Sequence, residues 1–465
     1  MATAGLIILP SEASSRMASQ SSGTGLEITG VNEGTDTEKR IIAKLHATDF
    51  DMSDNNFNSL TLIGDDLYYT LGSHDINTSA KLYRYNTVTG KIILVGDFGD
   101  ITGEDASKKY ITHGKSHGPL SKIGDKIYFS THLAFMLVGE DGRETSGIVP
   151  EGYTRYTGGK FVEYTPATGK FKILFSVTEG EGNQTFAVDE KRALAYSFSW
   201  PSGTFWVFDI KAEKLIYKGK HQRDGEDGVG EQFSAVPRHI AIDPRDGAAY
   251  FTTADGDIME YRREIGKVTT IDWAHLRKDV FGTLDPRRGG HFGYHWRHMV
   301  WNEKRQIFYG VHGNSGYLFS FDPKGKKVEI VARIASEHCL RNGLNPNFQY
   351  GNMTLGQKVG DDDTIYYIAD FYKFENPTPE QALLMQQTGR PRASKGAVTY
   401  LSLVTYHLPT GTYKDHGVIQ MEDGRFPNLA HTIAIDKNGW IYTCPWLPRT
   451  DTLPRACQLA SFRVP

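Results

Sequence analysis

Three histidines, His113, His117 and His132, fall within 20 residues in the run ITHGKSHGPLSKIGDKIYFSTH, Ile111 to His132. Imidazole titrates closest to neutrality of all side chains, so convergent histidines can take up and release protons at physiological pH. The residues between them supply the means to converge. Gly118–Ser130 alternates apolar and polar residues and is broken by Gly124-Asp125, which predicts a β-hairpin. His117 then precedes the first strand and His132 follows the second. Paired strands lie about 5 Å apart, which brings both residues to one small volume at the open end. A lone histidine at a strand end more often serves as a hydrogen-bonded structural residue. Three around one hairpin shift the balance toward chemistry.

The hairpin belongs to a series. An apolar residue followed three places later by Tyr or Phe recurs as Leu82–Tyr85, Phe161–Tyr164, Phe205–Phe208, Ile258–Tyr261, Leu318–Phe321, Leu403–Tyr406 and Leu459–Phe462. A polar turn and a further strand opening with Gly-Lys or a similar pair follow most of these, and a hairpin precedes each. Every unit reads as four antiparallel strands, and seven such units predict an all-β, seven-bladed β-propeller. The last unit lacks a fourth strand, because only Arg463-Val464-Pro465 remain after Phe462. The segment Glu38–Leu45 has the look of that strand, so Ile41–Leu45 is expected beside Leu459–Phe462. The ring then closes on an N-terminal strand and leaves no open edge. Residues 36–465 form a single domain in this reading. Residues 1–35 form a disordered leader or expression remnant, and Pro379–Gln387 is the one short stretch of helical period.

Bulk properties narrow the partners. The formal charge is −3 with no Lys/Arg run, which argues against nucleic acid and anionic membranes. No apolar run approaches the 18 or so residues of a membrane span. The 24 Tyr, 24 Phe, 7 Trp and 49 Gly are a mixture common to all-β and carbohydrate-binding proteins. Three cysteines cannot make a disulfide framework, although a Cys444–Cys457 bond is geometrically compatible with antiparallel neighbours, leaving Cys339 free. Sequons stand at Asn77, Asn183 and Asn352. A monomer is expected.

In a propeller the residues just before each innermost strand ring one mouth of the central channel. Here they are Asn55, Asn56 and Asn58; His113 and His117; Asn183 and Gln184; Arg238 and His239; Tyr294, His295, Arg297 and His298; Tyr350 and Asn352; Asn428 and His431. Arg341 joins the substrate-binding set of His113, Asn183, His239, Tyr294, Arg297, Tyr350 and His431. The ring is cationic and hydrogen-bonding, and no carboxylate is expected in it, which suits an anionic ligand such as a uronate or sulfate. A water-filled channel with unselected polar lining is the bland alternative. Paired carboxylates of the glycosidase kind, a nucleophile elbow, a phosphate loop and tight metal-ligand spacing are not seen. The ring does suit β-elimination on a uronic acid. Removing the C5 proton needs a positive or hydrogen-bonding group on the neighbouring carboxylate, such as Arg238, Arg297 or a ring Asn, a base, and an acid for the departing C4 oxygen. In glucuronate that hydrogen and that oxygen share one face, and a single hairpin can serve both.

The runs HGKSHGPLSKIGDKIYFSTH, GYTRYTGGKFVEYTPATGKF (Gly152–Phe171) and AYSFSWPSGTFWVFD (Ala195–Asp209) resemble the β-propeller polysaccharide lyases. These include the rhamnose–glucuronate lyases that trim arabinogalactan or gum arabic side chains and, more distantly, the ulvan lyases. The likeness covers most of units two to four. It implies a seven-bladed fold and elimination at the bond joining rhamnose to C4 of glucuronate, in an anionic polysaccharide or oligosaccharide outside the cell. It also implies catalytic His and Tyr, a carboxylate-neutralising Arg, often a bound calcium, and no organic cofactor. The family's strand-end histidines match His117 and His132, with His113 as a third; its Arg matches Arg238 and its Tyr, Tyr196. The resemblance assigns no metal ligands, and which histidine is base stays open. A uronate-binding propeller without activity is the reading from another class.

Overall fold

The turns and alternations of the sequence become strands because the middle strands of each unit are apolar on both faces. Leu194–Trp200 and Thr204–Asp209 are buried at every position, whereas the outer strand Lys214–Lys220 is exposed at Lys214, Lys218 and Lys220 and fully buried nowhere. Such strands must be covered on both sides by neighbouring sheets. Gly64 and Gly124, at φ 66° and 62°, make the two-residue turns that favour glycine's left-handed conformation.

The computed structural model describes residues 40–105, 107–138, 144–145, 149–287, 292–357, 363–374, 397–448 and 457–464. The leader 1–35 and the run Pro379–Gln387 lie outside the described residues. The first blade is Leu60–Ile63, Asp66–Leu71, Lys81–Asn86 and Ile92–Asp97; the second is Ser121–Ile123, Lys126–Ser130, Lys160–Thr165 and Lys170–Ser176. Three further four-stranded antiparallel sheets open at Gly182–Asp189, Ala241–Ile242 and Trp296–Asn302.

The expectation of seven separate blades is overturned. Beyond the five four-stranded blades the chain forms one eight-stranded sheet. Its order is Asn345–Leu355, Thr364–Phe374, Ala397–His407, Thr412–Met421, Arg40–His46, Leu459–Arg463, Trp440–Thr443, Ala434–Ile435. The cause is the Arg40–His46 strand, which is bonded along both edges. Its Lys44–His46 end pairs antiparallel with Leu459–Ser461, as the sequence led us to expect. Its Arg40–Ala43 end pairs in parallel with Val418–Met421, which was not expected. Ile41, Ile368, Leu401 and Ile419 from one half of this sheet share a core with Ile441 and Phe462 from the other, so the sheet curls almost into a barrel.

Elsewhere the core is a succession of interfaces between adjoining sheets. Leu82, Leu120 and Phe129 join the first and second blades; Phe161, Phe186 and Trp206 join the second and third. The Cys444–Cys457 bond is not formed: all three cysteines are free, and the Cys457 thiol instead donates to the Cys444 carbonyl at 3.4 Å. Among the sequons, Asn183 and Asn352 are buried and Asn77 is exposed. No helix among the described residues is long and apolar enough to cross a membrane.

A candidate active site where the sheets converge

The predicted hairpin positions its histidines as its sequence requires. Ser121–Ile123 pairs with Lys126–Ser130, and the pairing resumes beyond the strands as a bridge between Lys115 and His132. That bridge brings the His117 and His132 rings to 4.1 Å, edge to face at 68°. Both are buried. Gln184 Nε2 donates to His117 Nδ1 at 2.9 Å, while His117 Nε2 and His132 Nδ1 have no partner. Burial holds both rings far below the ordinary imidazole pKa. The neighbouring His132, Lys115 and Arg238 add to the effect at His117, and Lys115 and Arg238 add to it at His132. They are neutral imidazoles at any physiological pH.

They open into a cavity of about 410 Å³ lined by residues in or flanking every blade and the eight-stranded sheet, with Phe57, His74, Lys115, Trp200, Glu226, Arg238, Arg297, Tyr350, His431 and Trp446 among its walls. A second cavity of about 240 Å³ continues inward. Asn58, His117, Arg238 and His431 border both, forming the floor of one and the roof of the other.

Arg238 donates from Nη2 to Glu226 Oε1 at 2.7 Å and lies over the Phe292 ring at 5.0 Å; its Nη1 is buried without a partner. Glu226 also accepts from the Trp200 indole at 2.9 Å and the Val236 amide at 3.0 Å. Arg297 donates from Nη2 to Asn58 Oδ1 at 3.2 Å, and its Nε and Nη1 have no partner. Burial lowers the Arg297 guanidinium to about 10, with Arg238 adding to the shift, which leaves it cationic. His431 accepts weakly from Arg297 and meets Phe57 at a tilt and Tyr350 edge to face.

Of the residues expected at the site, His117, His132, Arg238, Arg297, Tyr350 and His431 meet in the outer cavity. His239 lies in the inner one, its ring 4.6 Å from that of His298; burial depresses it to about 3. Five others do not join them. His113 is sealed in the core, bonded to Thr131, Tyr156 and Thr157. Asn183 ties the Thr131 and Lys160 carbonyls to Ser197. Tyr294 bonds Leu284 and Gly282 in a loop, and Arg341 is exposed at the end of the short helix Glu337–Arg341. Tyr196 is wholly buried between the third and fourth blades, stacked on Phe205 and against Tyr261, and does not line either cavity.

The expectation of a ring without carboxylates is also corrected, since Asp54 and Glu226 both line the outer cavity. Glu226 sits in a loop past an outer strand, where no periodic signal marks it. Asp54 and His74 had a signal that went unread. Aligning the Gly64-Asp65 turn with Gly124-Asp125 puts Phe57 where His117 stands and marks the residues beyond Leu71 as cavity-facing. Phe57 and His117 in fact stack at 4.3 Å.

The resemblance implies calcium, which takes six to eight oxygens. The two cavity carboxylates are each committed, Asp54 to His74 and Asn55, Glu226 to Arg238 and Trp200. No cluster of three or more His, Cys, Asp or Glu among the described residues is placed to hold a metal. The donor set does not fit calcium, and no step is derived through it.

No family model matches the chain, and no curated protein matches it. Among solved structures it is similar to an oligogalacturonate lyase in complex with manganese, at TM-score 0.45 and 10% identity over 89% of this chain and 90% of that one. It is also similar to a chain of the mitotic checkpoint complex, at 0.47 and 10% over 95% and 98%. A protein from Lactobacillus plantarum stands at 0.47 and 12% over 86% and 97%. Likenesses at this level say nothing about activity.

Proposed function

We propose that the chain is a polysaccharide lyase that cleaves the bond joining rhamnose to C4 of glucuronate by β-elimination, leaving a 4,5-unsaturated glucuronate. The reading rests on one observation: two neutral, touching imidazoles share a cavity with two guanidinium groups that have buried, unspent donors. A uronate carboxylate satisfies those donors, Arg238 Nη1 and Arg297 Nε and Nη1. Two cations on that carboxylate make the C5 hydrogen more acidic and stabilise the enolate as it forms. A neutral imidazole beside it is the matching base.

The hydrogen bonds divide the two histidines. With the Gln184 amide nitrogen donating to Nδ1, the neutral His117 ring carries its proton on Nε2 and is a donor. His132, whose Nδ1 makes no hydrogen bond within the protein, is then the base. Phe57, Trp200, Tyr350 and Trp446 give sugar rings apolar faces to lie on. The substrate in this reading is a glucuronate-containing chain such as gum arabic, met outside the cell.

The product has a C4–C5 double bond conjugated with the carboxylate and absorbs in the near ultraviolet. Incubation with gum arabic and with ulvan, followed by absorbance, is the test. Absorbance rising on gum arabic is the expected result, and a rise on ulvan alone would move the substrate to that polymer. Saturable uronate binding with no absorbance on either would make the chain a binding protein and end the lyase reading.

A further inference from the structure

The outer cavity holds a second histidine system, which the proton abstraction above does not use. Asp54 lies in the loop ahead of Leu60–Ile63, and His74 lies just past Asp66–Leu71. The bridge between Asn55 and Gly72 draws the two loops together. His74 Nδ1 donates to Asp54 Oδ1 at 2.7 Å, the His74 amide donates to both carboxylate oxygens at 3.2 and 3.3 Å, and Asn55 Nδ2 donates to Oδ1 at 2.7 Å. Phe57 and Trp446 set the ring edge-on from two sides. The imidazole is therefore fixed in orientation and tautomer, with Nδ1 committed to the carboxylate and Nε2 as its other proton site.

Expelling a sugar alkoxide requires a proton donor stronger than a neutral imidazole. His117, His132 and His431 carry no second proton in the resting protein, because they are buried and face Lys115, Arg238 or Arg297. His74 differs on both counts. Its side chain is 36% exposed, and its partner is an anion, as in other carboxylate-oriented histidines. The bond is reciprocal: His74 offsets the burial of Asp54 and holds that carboxyl below its usual range.

We propose that His74, oriented by Asp54, is the general acid that protonates the departing C4 oxygen, an assignment that rests on the lyase reading. In the balanced step His132 takes the C5 proton, and the freed electron pair forms the C4–C5 double bond. The C4–O bond breaks, its electrons go to oxygen, and the proton on His74 Nε2 follows them. His74 ends neutral and His132 ends protonated; exchange with solvent restores both.

A leaving group that needs no proton isolates this role. Rates are compared on a 4-O-rhamnosyl glucuronide and on a 4-O-(4-nitrophenyl) glucuronide for the wild type, His74→Asn, Asp54→Asn and His132→Ala, with thermal melts of each. Asn at 74 keeps an amide donor for Asp54 and has nothing at the Nε2 position. His74→Asn is expected to lose on the order of 10²–10⁴ on the rhamnosyl substrate and far less on the nitrophenyl one. Asp54→Asn should show the same selectivity in weaker form, and His132→Ala should lose on both. Full rhamnosyl activity in His74→Asn, or an equal loss on both leaving groups, overturns the acid assignment while leaving the lyase reading standing. A wild type that eliminates neither substrate brings down the lyase reading itself.

Discussion

Arg238 is pinned at one nitrogen and open at another, which is how a side chain is presented to an anion rather than merely stored. Arg238→Ala removes a charge-assisted contact that strengthens as the enolate forms, so turnover should fall by about a hundredfold, about 3 kcal/mol. Wild-type turnover in that variant would pass the carboxylate to Arg297. His117→Ala and His132→Ala should each cost on the order of 10²–10⁴ in rate with the melting temperature little changed, and the double variant should be little worse than the worse single. Gly182 extends the argument to a residue with no functional group. A Cβ there would lie 1.6 Å from His132 Nδ1, so Gly182→Ala must swing the ring out of place. It should inactivate about as fully as His132→Ala; normal rates would show that the ring's position is not critical. At this scale the two hairpin histidines were legible because a turn fixes where strand ends fall. Tyr196 was not, because a strand buried on both faces carries no alternation to say which way a side chain points.

The Arg40–His46 strand is the element on which most depends. It covers the edges of both Thr412–Met421 and Leu459–Arg463 and buries Ile41 and Ala43 among Ile419, Met421 and Phe462. Deleting residues 1–46 should expose two edges at once and lower the melting temperature sharply or drive aggregation. A truncated chain melting with the full-length protein would refute this. The antiparallel half of the pairing was readable, since the last unit visibly lacked a strand. The parallel half was not. Edge-to-edge pairing between units leaves no mark in a per-unit repeat, and the sheet count went wrong there.

Across the molecule, six of the described histidines are buried and held below their ordinary pKa, His113, His117, His132, His295, His312 and His431, and the half-buried His239 and His298 are held there too. Each stays neutral in the folded state while the unfolded chain protonates it below about 6.5. Folding stability is therefore intact above that pH and is lost as pH falls toward the depressed folded values, about 4 for His295 and about 3 for His239 and His312. Each group removes about 1.4 kcal/mol per pH unit across that window. Melting temperature should drop steeply between pH 6.5 and 5, and a flat profile would mean that these rings are not held neutral. The doubly paired Arg40–His46 strand carries a consequence of another kind, in the order of events during synthesis. Its partners lie some 380 to 415 residues further along, so this strand leaves the ribosome long before either of them and waits while the blades between are made. Until Leu459–Arg463 emerges, an apolar strand edge stands open in a chain otherwise able to form its blades one after another. Contacts this distant in sequence are slow to form, and that interval is when the nascent protein most needs a chaperone.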